Sequence, residues 1–216
     1  MRWAMVILIS FFCQLGTYAQ TGDNTKAPET VDEILESFSS SRVLNLLMPK
    51  TVELNDEITM ALTVRIEPSF EEEFQYVFLK RQNGEIELIK KRSASGNIHY
   101  KIGDIEEQAS VLTVTEMAKL IPVLESRTSV SAAEFKVLAA GLDSAVREHE
   151  RRQVEQQRRN AGKHIPSTRR DGTRYVIWMA GERKYDIAVS GESYKSPAQA
   201  AEDPLISWVR KLVRDQ

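Results

Sequence analysis

Cysteine occurs once in these 216 residues, at Cys13. No disulfide framework can be built from it, nor a thiolate metal site, which needs several such ligands. Histidine is nearly as scarce, with His99, His149 and His164 far apart in sequence. His149-Glu150-Arg151-Arg152-Gln153 has the H-E-x-x frame of a zinc protease, but Gln153 stands where the second histidine ligand must be. No metal site and no cofactor are therefore expected. Phosphate-cradling glycine loops, a dinucleotide fingerprint and a G-x-S-x-G elbow are all missing. Gly191-Glu192-Ser193 begins like the elbow, but Lys195 closes it instead of glycine, and Tyr76 and Lys80 share a dehydrogenase spacing without a dinucleotide fold around them. Asn-x-Ser/Thr acceptors are absent too, which together with the missing disulfides favours a bacterial periplasm or exterior over an animal secretory route.

The N-terminus supplies the compartment. Met1-Arg2 is followed by an apolar run of about eleven residues, Trp3 to Cys13, and then by small residues ending at Ala19. That is the pattern of a secretory signal peptide, with the run too short to span a hydrocarbon core of roughly 30 Å. Ser10-Phe11-Phe12 is too bulky to make Cys13 a lipid-attachment site. The expectation is a cleaved signal over 1–19, a polar leader over 20–29, an α+β region over 30–162, and a hairpin with a C-terminal helix over 163–216, packed on the same domain. An alternative division falls near Gly162 to Thr173.

Charge is near balance overall, −2, but unevenly placed. Gln20–Gln75 carries 12 acidic and 4 basic residues, Tyr76–Ala145 carries 9 of each, and Val146–Gln216 carries 10 acidic and 15 basic. The simplest reason is that the ends stay solvated or attract one another.

Helix and strand signals alternate along the chain. Thr30 to Glu33 has capping-box spacing before Val31, Ile34, Leu35 and Phe38; Val43 to Met48 extends that helix or adds a turn before Pro49. Ile58, Met60, Leu62, Val64 and Ile66 alternate with smaller or polar residues, predicting a half-buried strand. Phe74–Arg81 and Glu85–Lys91 flank Asn83-Gly84, a hairpin signal, and Ile98–Ile102 reads as a fourth meander strand. A box at Thr113–Glu116 starts a helix with Met117, Leu120, Ile121 and Leu124 on one stripe, which Pro122 should kink or stop. Another box at Ser131–Glu134, with Val130 and Phe135 as a hydrophobic staple, starts a helix of about 28 residues reaching Asn160 and capped near Gly162. Arg174–Ala180 and Lys184–Val189 form a second hairpin about Gly181. Ser196-Pro197 and Asp203-Pro204 each start a short helix, the second with Leu205, Trp208, Val209 and Leu212 on one face. The fold class is α+β: an antiparallel meander with helices packed on one face, a long partly exposed helix, a second hairpin and a C-terminal helix.

The sharpest candidate surface is the stretch REHERRQVEQQRRN, Arg147 to Asn160, with five arginines and three glutamates. Glu148–Arg152 and Glu155–Arg159 have favourable i,i+4 order, and Arg158, Arg159 and Lys163 suit a helix C-terminus. It reads as the solvated end of a long helix. As a binding surface it would comprise Arg147, Arg151, Arg152, Arg158, Arg159, Lys163, Arg169 and Arg170. No aromatic residue lies between Arg147 and Arg174, so no base-stacking platform exists, and a protein or an anionic envelope polymer fits better than nucleic acid. Tyr175, Trp178, Tyr185, Tyr194 and Trp208 are expected in the core or on the sheet, and become a contact patch if several are exposed together. The functional expectation is an exported, non-catalytic interaction or envelope-associated protein. The alternative is an envelope hydrolase with one of the histidines as base, assembled from distant positions.

Overall fold

A computed structural model describes residues 39–69, 71–108, 112–161, 172–192 and 203–215, all within one compact unit, Phe38–Gln216. The fold is α+β. Its elements run α1 (Ser39–Leu47), β1 (Ile58–Glu67), β2 (Phe74–Arg81), β3 (Ile86–Ser93), α2 (Ile98–Gln108), α3 (Val114–Lys119), β4 (Val123–Val130), α4 (Ala132–Asn160), β5 (Gly172–Ala180), β6 (Tyr185–Glu192) and α5 (Pro204–Asp215). The signal segment, the leader and the Thr30 capping box lie outside the described residues, as do Gly162, Tyr194 and the Ser196-Pro197 helix.

Six antiparallel strands form one sheet in the order β4-β3-β2-β1-β5-β6. The second hairpin thus completes the sheet begun by the meander, because β5 pairs with β1 from Ala61 opposite Ala180 to Glu67 opposite Arg174. β1 alternates as its sequence predicts, but it is central and buried on both faces rather than one. One face carries Met60, Leu62, Val64, Tyr76, Phe78, Leu88, Tyr175 and Ile177 into the main core. Helices α4 and α5 cover that face through Phe135, Leu142, Val146, Leu205, Trp208 and Val209. Gly141 makes the two helices meet closely: a Cβ there would lie 3.2 Å from the Trp208 indole nitrogen, which donates to the Leu138 carbonyl at 3.3 Å. On the other face Ala61, Val77, Leu79 and Ile89 form a smaller cluster with Val52, Leu54, Ile58 and Trp178.

That second face also receives the end of α1. Arg65, almost fully buried, donates to Asn45 Oδ1 at 2.6 Å and to the Met48 carbonyl at 2.8 Å, while Gln75 Nε2 donates to the Pro49 carbonyl at 2.6 Å. Helices α1, α2 and α3 then share a satellite core of Val43, Leu44, Met48, Ile98, Ile102, Met117, Ala118 and Ile121.

Two expectations are corrected here. Ile98–Ile102 is the first part of helix α2, not a strand. Ile98, Ile102 and Ile105 are spaced for one helical face, and Asn97 caps the helix by accepting from the His99 and Tyr100 amides at 3.0 and 3.3 Å. The fourth meander strand is instead β4, where the stripe ending in Leu124 had predicted helix. Helix α3 ends at Lys119, Pro122 intervenes, and the chain restarts as a strand along β3. The first hairpin turn also differs in detail: Gly84 alone takes a positive φ, 86°, with Arg81 and Glu85 closing a three-residue loop.

Both described capping boxes form. Thr113 with Glu116 starts α3, and Ser131 with Glu134 starts α4, each side chain satisfying the other's backbone donor. Asp203 caps α5 through Leu205 N at 2.9 Å, with Pro204 at the first helical position.

Candidate binding cleft

Helix α4 is 29 residues long, and its second half leaves the core. Arg147, Arg151, Arg158 and Arg159 are exposed, and Arg152 is half-buried. Glu148 collects Arg151 Nη2 at 2.7 Å and Arg152 Nε at 2.8 Å, and the hydrogen bonds from these two guanidinium groups hold its carboxyl near 2. Glu155 pairs with Arg151 and, at 4.0 Å, with Arg159. Three of the five arginines are therefore matched by carboxylates on their own helix. Lys163, Arg169 and Arg170 lie outside the described residues.

His149, on α4, has a carboxylate partner that no local sequence pattern could locate. His149 Nδ1 lies 2.7 Å from Asp203 Oδ2 across 54 residues, with both side chains largely buried. A carboxylate-oriented imidazole is two-thirds of an acid–base triad. The third part is missing: no hydroxyl bonds this imidazole among the described residues, and five clefts traced around them have no histidine in their walls. Asp203 already caps α5 with its other oxygen, so the pair works as a clamp between α4 and α5. A second clamp joins α4 to the last hairpin, where Asp143 accepts from Tyr185 at 2.7 Å and pairs with Arg183. His99 is the second residue of α2, and His164 is not among the described residues. No group of three or more metal-ligating side chains converges among the described residues.

The more informative concavity has a volume of about 690 Å³ and lies where the main-core face of β1, β2 and β5 runs out beneath α5. Strand alternation puts Ile66, Phe74, Tyr76 and Tyr175 on its floor, since all four belong to the face that carries the core. Helix α5 contributes Val209 and Val213 one turn apart, followed around the helix by Arg210 and Arg214. Glu71, Thr173 and Ser207 complete the wall. Tyr76 and Tyr175 are 8% and 7% exposed, and neither hydroxyl has a hydrogen-bond partner among the described residues. Tyrosine joins an apolar ring to a polar tip, so the pair offers two polar handles at the edge of an apolar floor. Desolvation raises the Tyr76 phenol above its ordinary value, which keeps it a neutral donor. Val213, 41% exposed, is the apolar residue most open to a ligand.

Sequence reasoning assigned Tyr175 to core or sheet and did not group it with Phe74, Tyr76 or α5. The apolar stripe of α5 was visible, but the strand register that brings Ile66 opposite both Phe74 and Tyr175 was not.

No family model, curated protein or solved structure matches this chain.

Proposed function

We propose that this protein is exported and acts by binding rather than catalysis, with the cleft beneath α5 as its ligand site. The observation that carries this reading is the cleft's composition: an aromatic and aliphatic floor, two tyrosine hydroxyls without partners among the described residues, and Arg210 and Arg214 on the helical wall. Apolar walls with a few convergent polar groups are the usual form of a binding pocket. The arginines favour an anionic group, so the ligand is an apolar side chain next to a carboxylate, as at a protein segment, in preference to a uniformly charged polymer. Export rests on the signal-like N-terminus, and no helix among the described residues is long and apolar enough to cross a membrane.

The test is capture from envelope extract by the parent protein and by Val213→Asp, which places a charge on the apolar wall at an exposed position. Loss of the captured partner, with an unchanged melting curve, supports the cleft. Equal capture by parent, Val213→Asp and a variant with its five α4 arginines replaced by glutamine removes both candidate surfaces.

A further inference from the structure

The sheet ends, on the meander side, in a strand with an open edge. β4 pairs with β3 from Ile86 opposite Val130 to Ser93 opposite Val123, and no other strand lies beside it among the described residues. Six consecutive residues, Leu124 to Ser129, are exposed. Edges of this kind expose a row of backbone donors and acceptors, and proteins usually blunt them with proline, charged side chains, a bulge, a short strand or a covering helix or loop. β4 has eight residues and no proline, its register with β3 is regular, and its two charges, Glu125 and Arg127, are opposite in sign and paired with each other. Pro122 stands just before it and limits pairing only at that end.

Its charges are arranged for pairing with itself. Glu125 and Arg127 flank Ser126 and belong to one face of the sheet, where Glu125 sits opposite Lys91 and Arg127 opposite Ile89. On that face the ion pairs form a row of alternating sign: Arg81–Glu87 at 3.1 Å, Arg127–Glu87 at 3.3 Å, Arg127–Glu125 at 2.8 Å and Lys91–Glu125 at 3.5 Å. We propose that β4 is a homodimerisation edge, two copies pairing their β4 strands antiparallel about a two-fold axis through Ser126 to make one continuous sheet.

In that register Glu125 faces Arg127 of the second copy, and Arg127 faces its Glu125. Leu124 faces Thr128 of the second copy on the opposite side of the sheet, an apolar residue against a β-branched one. Sliding the axis to Glu125 sets glutamate against glutamate, and sliding it to Arg127 sets arginine against arginine. Opposite charges directly across an antiparallel pair stabilise it and like charges oppose it, so the sequence selects the register centred on Ser126. An isologous two-fold contact needs this self-complementarity, residue i meeting j and j meeting i.

Sedimentation equilibrium of the purified full chain tests the association. A concentration-dependent dimer is expected. Glu125→Arg alone and Arg127→Glu alone each set like charges across the axis and should raise the dimer dissociation constant at least tenfold. The double swap Glu125→Arg/Arg127→Glu should restore it towards the parent value, and melting curves for each protein separate loss of association from loss of fold. Cross-linking fixes the register. In a Cys13→Ser background, Ser126→Cys brings two cysteines directly opposite, at a Cα separation of about 4.5–5.5 Å, within disulfide reach. Thr128→Cys leaves them four residues out of register, about 14 Å apart along the strands at about 3.4 Å per residue. A disulfide-linked dimer from Ser126→Cys and none from Thr128→Cys supports the proposal. A monomer at every concentration overturns it. So does a dimer that both single reversals leave intact, or equal cross-linking at the two positions.

Discussion

Glu73 gives the protein a pH dependence of unusual sign. Its side chain is fully buried beneath the N-terminus of α2, and both carboxyl oxygens lie 2.9 Å from the Ile98 amide. That amide and the helix terminus favour the ionised form, yet desolvation outweighs them, with the nearby Glu67 charge acting in the same direction. The result is a carboxyl raised from 4.5 to about 7. At about 1.4 kcal/mol for each tenfold change in proton affinity, the rise is worth roughly 3 kcal/mol. Below about pH 4.5 both folded and unfolded chains hold this proton, and the group is neutral in the balance. Between there and about pH 7 the folded chain keeps a proton that the unfolded chain has lost, so stability falls as pH rises. Above that window both states are ionised and the whole cost is present. Glu73→Gln keeps an oxygen for the Ile98 amide and removes the titration. Urea unfolding of the two proteins should give equal midpoints near pH 4.5 and, by pH 8, a variant more stable by up to about 3 kcal/mol. Taking the difference between the two proteins cancels every other titrating group. A difference that is flat across the window, or that grows towards acid, would refute the reasoning.

Other perturbations probe the packing. Leu142→Ala, at a fully buried position between α4 and the sheet, should cost about 2–5 kcal/mol in denaturant unfolding. Ser131→Ala removes the cap of α4 and should cost about 1 kcal/mol in the same assay. Gly181→Ala should lower the melting temperature, because Gly181 has φ 132° and a Cβ there would lie 2.8 Å from the Met60 side chain. Replacing Arg147, Arg151, Arg152, Arg158 and Arg159 with glutamine together should shift the thermal midpoint little, since exposed helix pairs contribute only about 0.3–0.5 kcal/mol each. A large loss would show that this end of α4 packs on something.

What could be read from sequence was whatever depends on near neighbours. The alternation of β1, the capping boxes at Thr113 and Ser131, the length of α4 and the Glu-before-Arg pairs along it are all decided within a few residues, and each is present. Two local signals misled. Ile98 to Ile102 is too short a run for alternation to be told from helical spacing, and the deciding contacts, from Glu73 and to Val43 and Leu44, come from distant chain. In β4 the exposed ESRTS core carries little apolar pattern of any period, so the apolar stripe of α3 was extended past Pro122 into it. Its strand state comes from the ladder offered by β3.

The candidate site failed to show for a related reason. A cleft is made by register, and register is a property of pairs of strands. Ile66 lies opposite Phe74 on one side and Tyr175 on the other only because β5, more than a hundred residues downstream, adds to β1. Val209 and Val213 close over them only because α5 is fixed to α4 through His149–Asp203 and through Trp208 against Gly141. The strands and helices that meet there are drawn from β1, β2, α4, β5 and α5, so no short stretch of sequence carries the pattern. The charged run at the end of α4 is visible in the sequence because it is contiguous, yet contiguity is what lets its charges pair with one another along the helix. The residues that line the cleft are the scattered ones: two tyrosines on different strands and two arginines on the last helix, gathered at one end of the sheet.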